Sequence, residues 1–140
     1  MVATQTPKYG VGNATFEACG EEAGVRQLVD SFYDLMERED DFNNIRGMHT
    51  QDFQVARDKL ARFLCGWTGG PRIYAEKYGA ISIPHVHAHL PITANEKDQW
   101  LACMAGALDQ QPYPESLKTY LLEQLSVPAE RIRQVCSNNG

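Results

Sequence analysis

Apolar residues recur at every third or fourth position through most of this chain, and that regularity restricts it to helices packed on helices. Between Glu21 and about Glu39 they fall at Val25, Leu28, Val29, Phe32, Tyr33 and Met36, the spacing that puts apolar groups on one side of a helix. From about Asp52 to Trp67 the pattern returns at Ala56, Leu60, Phe63, Leu64 and Trp67, and Gly69-Gly70-Pro71 stops it. A shorter helical piece near Arg72 to Tyr78 ends at Gly79, and the stretch Ile81 to Leu90 is closed by Pro91. Thr93-Ala94-Asn95-Glu96 spells a capping box, in which a hydroxyl and a carboxylate satisfy orphan backbone donors at a helix start. The helix it opens carries Trp100, Leu101, Met104, Ala105 and Leu108. Beyond Gln111, Pro112 and Pro114 lies an amphipathic segment with Leu117, Tyr120, Leu121 and Leu125, then a last piece opening at Pro128 with Ile132 and Val135. Asp40 to Thr50 reads as an irregular connection with one short turn, for it mixes Asn43, Asn44 and Gly47 with charges. No alternating run bounded by hairpin turns is present. The expected fold class is therefore all-α, with five or six main helices.

A chain of 140 residues makes one domain. We expect residues 1–13, which lack periodicity, to form a flexible N-terminal arm before a single domain at 14–140. Thirteen Lys plus Arg against 18 Asp plus Glu leave a net charge of −5, which offers no basic footprint for nucleic acid or an anionic membrane surface. No stretch approaches the roughly 18 apolar residues of a membrane span, and a cytoplasmic location is expected. Cys19, Cys65, Cys103 and Cys136 are scattered without a CxxC pair and read as reduced, mostly buried thiols.

Three histidines occur as His85-Val86-His87-Ala88-His89. On a strand, all three imidazoles would face one way and could close around Zn²⁺ or Cu²⁺. On a helix, His87 points roughly 200° away from His85, and Ile83, His87 and Leu90 form one apolar face holding a single imidazole. That second arrangement suits a lone axial ligand. Pro84 and Pro91 leave the segment too short to be stable by itself. A large flat apolar cofactor whose iron takes one imidazole would hold it, and would also account for aromatic residues at mutually distant positions.

From about Ala14 to about Leu125 the chain resembles the truncated haemoglobins, and specifically their second group. The resemblance is carried by Phe32-Tyr33, Met48-His49, Arg57 through Leu64, Gly69-Gly70-Pro71 with Tyr74, Gly79, His87, Pro91-Ile92, and Glu96 followed by Trp100-Leu101 and Cys103-Met104. The thirteen-residue interval from His87 to Trp100 matches the family's spacing between proximal histidine and tryptophan, which selects His87 over His85 and His89. Two departures stand out. Ala80 to Val86 replaces the family's His-Pro and arginines, and Ala18-Cys19-Gly20-Glu21 keeps one glycine of a usual pair.

The resemblance implies a truncated globin-like two-over-two helical sandwich around haem b, with His87 as the proximal ligand. It places Tyr33, His49 and Trp100 on the distal side, Ala56, Leu60 and Phe63 in the apolar wall, and Lys59, Arg62 and Tyr74 near the haem propionates. Oxygen bound to ferrous haem carries partial negative charge, which donors in a dry site stabilise by about 1 kcal/mol each. Trp100 offers an N–H that can only donate, Tyr33 a hydroxyl and His49 a titratable imidazole.

The leading expectation is a haem protein that binds O₂, NO and CO as a monomer or weak homodimer. Its donors favour tight O₂ retention and redox chemistry, such as NO dioxygenase-like or peroxidase-like reactions with an unidentified reductase. The alternatives are a haem-free Zn- or Cu-binding helical module using His85, His87 and His89, and a helical interaction protein with no cofactor.

Overall fold

The computed structural model describes residues 9–48, 53–79 and 92–139. Among them every regular element is helical: α1 (Ala14–Ala18), α2 (Glu21–Arg38), a 3-10 turn (Asp40–Phe42), α3 (Asn43–Gly47), α4 (Phe53–Trp67), α5 (Ile73–Tyr78), α6 (Ala94–Asp109) and α7 (Glu115–Asn139). The expected all-α class is what the chain adopts. Helix α2 packs on both α4 and α6, α6 packs on α7, and α5 folds back on α4, so α2 with α4 and α6 with α7 form the two layers of a two-over-two sandwich.

The apolar surface of α2 is wide enough for this double role. Val25, Leu28, Val29, Phe32, Tyr33, Leu35 and Met36 are all buried, and each large apolar side chain so buried contributes about 1.5–3 kcal/mol. The α6 start predicted from Thr93 and Glu96 carries both halves of the capping box. The Glu96 carboxylate also accepts from the Asn44 amide at 3.0 Å, which ties α3 to α6. The double glycine after α4 does more than stop a helix. Gly69 has φ +96°, and a side chain there would collide with the Gly12 carbonyl. A Cβ at Gly70 would lie 2.5 Å from the Phe16 ring, so the pair seats the N-terminal segment against the end of α4. Within that segment Tyr9 reaches α7, where its hydroxyl pairs with Ser116 Oγ at 3.0 Å and its ring lies 5.1 Å from that of Tyr120. Where the related family has a glycine pair, Gly20 takes φ +93° and Glu21 takes φ +61°, a backbone region that is unfavourable for a residue with a Cβ and costs glycine almost nothing.

Two local expectations are corrected. Asp40 to Gly47 is helical rather than irregular, because Ile45 is buried and the Arg46 guanidinium donates to the carbonyls of Met36 and Glu37 at 3.2 and 2.7 Å. Those bonds satisfy orphan acceptors at the C-terminus of α2. Pro128 does not open a new helix but lies inside α7. Local chemistry argues for a break there. Packing on α6 overrides it: Leu125 is buried before the proline, and after it Glu130 pairs with Lys97 of α6 at 3.1 Å.

Asp58 joins three helices. Its carboxylate accepts from Arg26 of α2 at 3.2 Å, from Arg62 at 3.0 Å, and from Lys77 and Tyr78 of α5 at 2.8 and 2.6 Å. Desolvation opposes its ionisation, but these donors outweigh it and hold the carboxyl well below the ordinary carboxylate range. Bonds from the Thr93 side chain and backbone likewise lower Glu96, to about 2. Both groups therefore stabilise the fold above the unfolded carboxylate pKa of about 4, and that stability drains away as pH falls below it. Asp58→Asn is expected to cost about 1–2 kcal/mol at neutral pH and to flatten the acid limb of a urea-midpoint profile. A variant profile parallel to that of the unaltered chain would place the acid loss elsewhere.

Candidate functional site

Adjacent residues of a helix point about 100° apart, and at Phe32 and Tyr33 that offset sends two aromatic rings to two different neighbours. The Phe32 ring is fully buried, 5.2 Å from the indole of Trp100 on α6. The Cys103 thiol donates to the Phe32 carbonyl at 3.2 Å and fastens the same contact. The Tyr33 ring meets Phe32 edge-on at 5.0 Å and lies 5.5 Å from Phe53 at the start of α4. Tyr33 and Trp100, distant in sequence, are thus gathered about one phenyl ring. Burial pushes the Tyr33 phenol well above its ordinary pKa, while the nearby charge of Arg57 acts in the opposite direction. The hydroxyl stays neutral and remains a donor.

Helix α4 presents two apolar sides. Ala61, Leu64 and Cys65 are buried, whereas Leu60, Phe63 and Trp67 pack against the core yet are only partly covered. Ala56, Leu60 and Phe63, spaced by four and three, lie on one stripe. Trp100 is also half-buried. The incompletely covered apolar side of α4, with the half-buried Trp100 on α6, offers the kind of apolar surface that a flat ring system requires.

Lys59, Arg62 and Tyr74 gather at the corner between α4 and α5. Lys59 Nζ sits 5.4 Å from the Tyr78 ring centroid, the Tyr74 ring lies tilted against the same ring at 5.1 Å, and Arg62 donates to Asp58 and to the Ile73 carbonyl at 3.1 Å. His49, Ile83, His87 and Leu90, with His85 and His89, lie outside the described residues. A cavity of about 240 Å³ between α2 and α4 is lined by Arg26, Val29, Asp30, Gln54, Arg57, Asp58 and Ala61. It contains none of the expected site residues.

Phe53 and Arg57 join the site without having been anticipated. A basic residue on a helix is by default a solvated one, but the Arg57 side chain is only 15% exposed and pairs with Asp30, Asp34 and Glu37 at 3.1, 2.8 and 3.7 Å. The available signal was the spacing of those acids by four and three along one edge of α2, a row that calls for a cation on the neighbouring helix.

A helical sandwich with this aromatic cluster between its layers is a globin architecture, and the family profile of bacterial-like globins matches residues 14–134. The chain belongs to that family. Within it the chain is 32% identical over 120 residues to the group 2 truncated hemoglobin YjbI of Bacillus subtilis strain 168, covering 86% of this chain and 88% of that protein. The solved group II 2-on-2 hemoglobin of the plant pathogen Agrobacterium tumefaciens superposes with a TM-score of 0.80 at 28% identity, over 95% of this chain and 98% of the other. A truncated haemoglobin of Bacillus subtilis described as oxygen-avid superposes at 0.76 with 29% identity, over 84% and 97%. The resemblance to group II truncated haemoglobins read from the sequence therefore holds, and membership of the family implies haem and gas binding.

Proposed function

We propose that this protein holds haem b through His87 and binds O₂ tightly, with NO and CO as further ligands and with redox turnover supported by a reductase in the cytoplasm. The observation that carries the reading is the convergence of Tyr33 and Trp100 on Phe32, together with the partly covered Leu60 and Phe63 on α4. The oxygen-avid relative from Bacillus subtilis supports it.

Haem, when bound, supplies an iron at which a diatomic gas adds and through which electrons pass. The chain's own residues do the rest. Leu60 and Phe63 exclude water from one face, so that a hydrogen bond formed there counts for more than in solvent. The Trp100 indole can only donate, and the neutral Tyr33 phenol donates beside it, so both favour a ligand with negative charge. His49 is a third donor in this reading. Lys59, Arg62 and Tyr74 would receive the propionates, with Ile83 and Leu90 flanking His87.

The absorption spectrum of the purified protein tests this. An intense band near the visible edge that moves on reduction and again under CO is expected. A colourless protein that takes up Zn²⁺ or Cu²⁺ through His85, His87 and His89 would replace the haem reading with the metal-binding one.

A further inference from the structure

We infer that Arg57 is a positioning residue for Tyr33: it packs against the phenol ring and polarises the hydroxyl as a donor, which deepens the haem reading above and rests on it. The guanidinium carbon lies 5.8 Å from the Tyr33 ring centroid. Both terminal nitrogens are held by acids of α2, Nη1 by the Asp30 carboxylate and carbonyl at 3.1 and 3.2 Å and Nη2 by Asp34 at 2.8 Å. The side chain is therefore fixed in direction. Its Nε is buried with no hydrogen-bond partner among the described residues. Leaving a donor unsatisfied is unfavourable, so ion pairing alone does not explain why the side chain is drawn inward.

The charges do not cancel at the ring. The side chains of Asp30, Asp34 and Glu37 are 60%, 62% and 46% exposed against 15% for Arg57. Solvent screens the more exposed carboxylates more than the guanidinium, and the positive charge of Arg57 acts on the Tyr33 phenol. A cation beside a phenol strengthens its O–H as a donor and orients its ring. The acids on α2 thus act on the site through Arg57 on α4, which packs beside them.

Arg57→Met and Arg57→Lys, each made in the unaltered protein and in Tyr33→Phe, test this. In the holoprotein Arg57→Met should speed O₂ dissociation about threefold and raise the C–O stretching frequency of the CO complex, while Arg57→Lys stays close to the unaltered protein. In the Tyr33→Phe background Arg57→Met should change neither quantity. An equal effect with and without the Tyr33 hydroxyl, or an Arg57→Lys variant as fast as Arg57→Met, would overturn the assignment. Haem content, read separately by absorption, reports on the functional reading itself. Should no haem be taken up, ¹⁹F spectra of protein labelled with fluorotyrosine still decide the matter. The resonance missing in Tyr33→Phe should shift in Arg57→Met and return in Arg57→Lys, and an unmoved resonance in Arg57→Met would refute the contact.

Discussion

Replacing His87 by alanine is expected to strip stoichiometric haem from the purified protein, while His85→Ala and His89→Ala keep it. On a helix only His87 shares a face with Ile83 and Leu90, and its neighbours point elsewhere. The thirteen-residue interval to Trp100 selects the same residue. Both flanks of the histidine segment are anchored in the described structure. On one side Lys77 and Tyr78 of α5 bind Asp58 at 2.8 and 2.6 Å. On the other, Thr93 and Glu96 cap α6, and Asn44 holds Glu96 from α3 at 3.0 Å. The pyridine haemochrome of each variant, normalised to protein, measures the outcome. Loss of haem in His85→Ala or His89→Ala with retention in His87→Ala would show that the register is wrong.

Tyr33→Phe and Trp100→Leu should each speed O₂ release by about tenfold, the factor that corresponds to one lost donor of about 1.4 kcal/mol. Carbon monoxide should respond less, since it is weakly polarised when bound and gains little from a donor. The Phe32 contact adds a constraint on the double variant. Both rings lean on Phe32, at 5.0 and 5.2 Å, and groups sharing one partner couple rather than add. The combined effect is therefore expected to fall away from the product of the two single effects. Stopped-flow rates for both gases decide this. Equal acceleration of O₂ and CO would point to steric gating and remove the hydrogen-bonding role.

Much of this architecture was legible because it is local. A period of three and four residues needs nothing but its own helix to be recognised, and α2, α4 and α6 lie where that period put them. The capping box at Thr93 and Glu96 is equally local, four residues whose side chains and backbone satisfy one another. Pro128 and the Asp40 to Gly47 stretch were misread for the complementary reason. Their local chemistry favours breaks, and bonds to other helices outweigh it, through Glu130 with Lys97 and through Arg46 with the end of α2.

The same division separates the site. Residue identity and spacing alone determined that the chain is helical and that it resembles the group II truncated haemoglobins, a resemblance that implies one pocket for Tyr33, Trp100 and the Ala56, Leu60 and Phe63 stripe. Only the tertiary structure decided that Phe32 is the ring about which Tyr33 and Trp100 meet, that Asp58 fastens α5 to α2 and α4, and that Arg57 is turned inward against Tyr33. The physical reason is the reach of the forces involved. Helical periodicity arises from backbone hydrogen bonds four residues apart and is written along the chain. The partner of a charge or an aromatic face is set instead by which helices lie side by side, a choice made by the burial of the whole core at once.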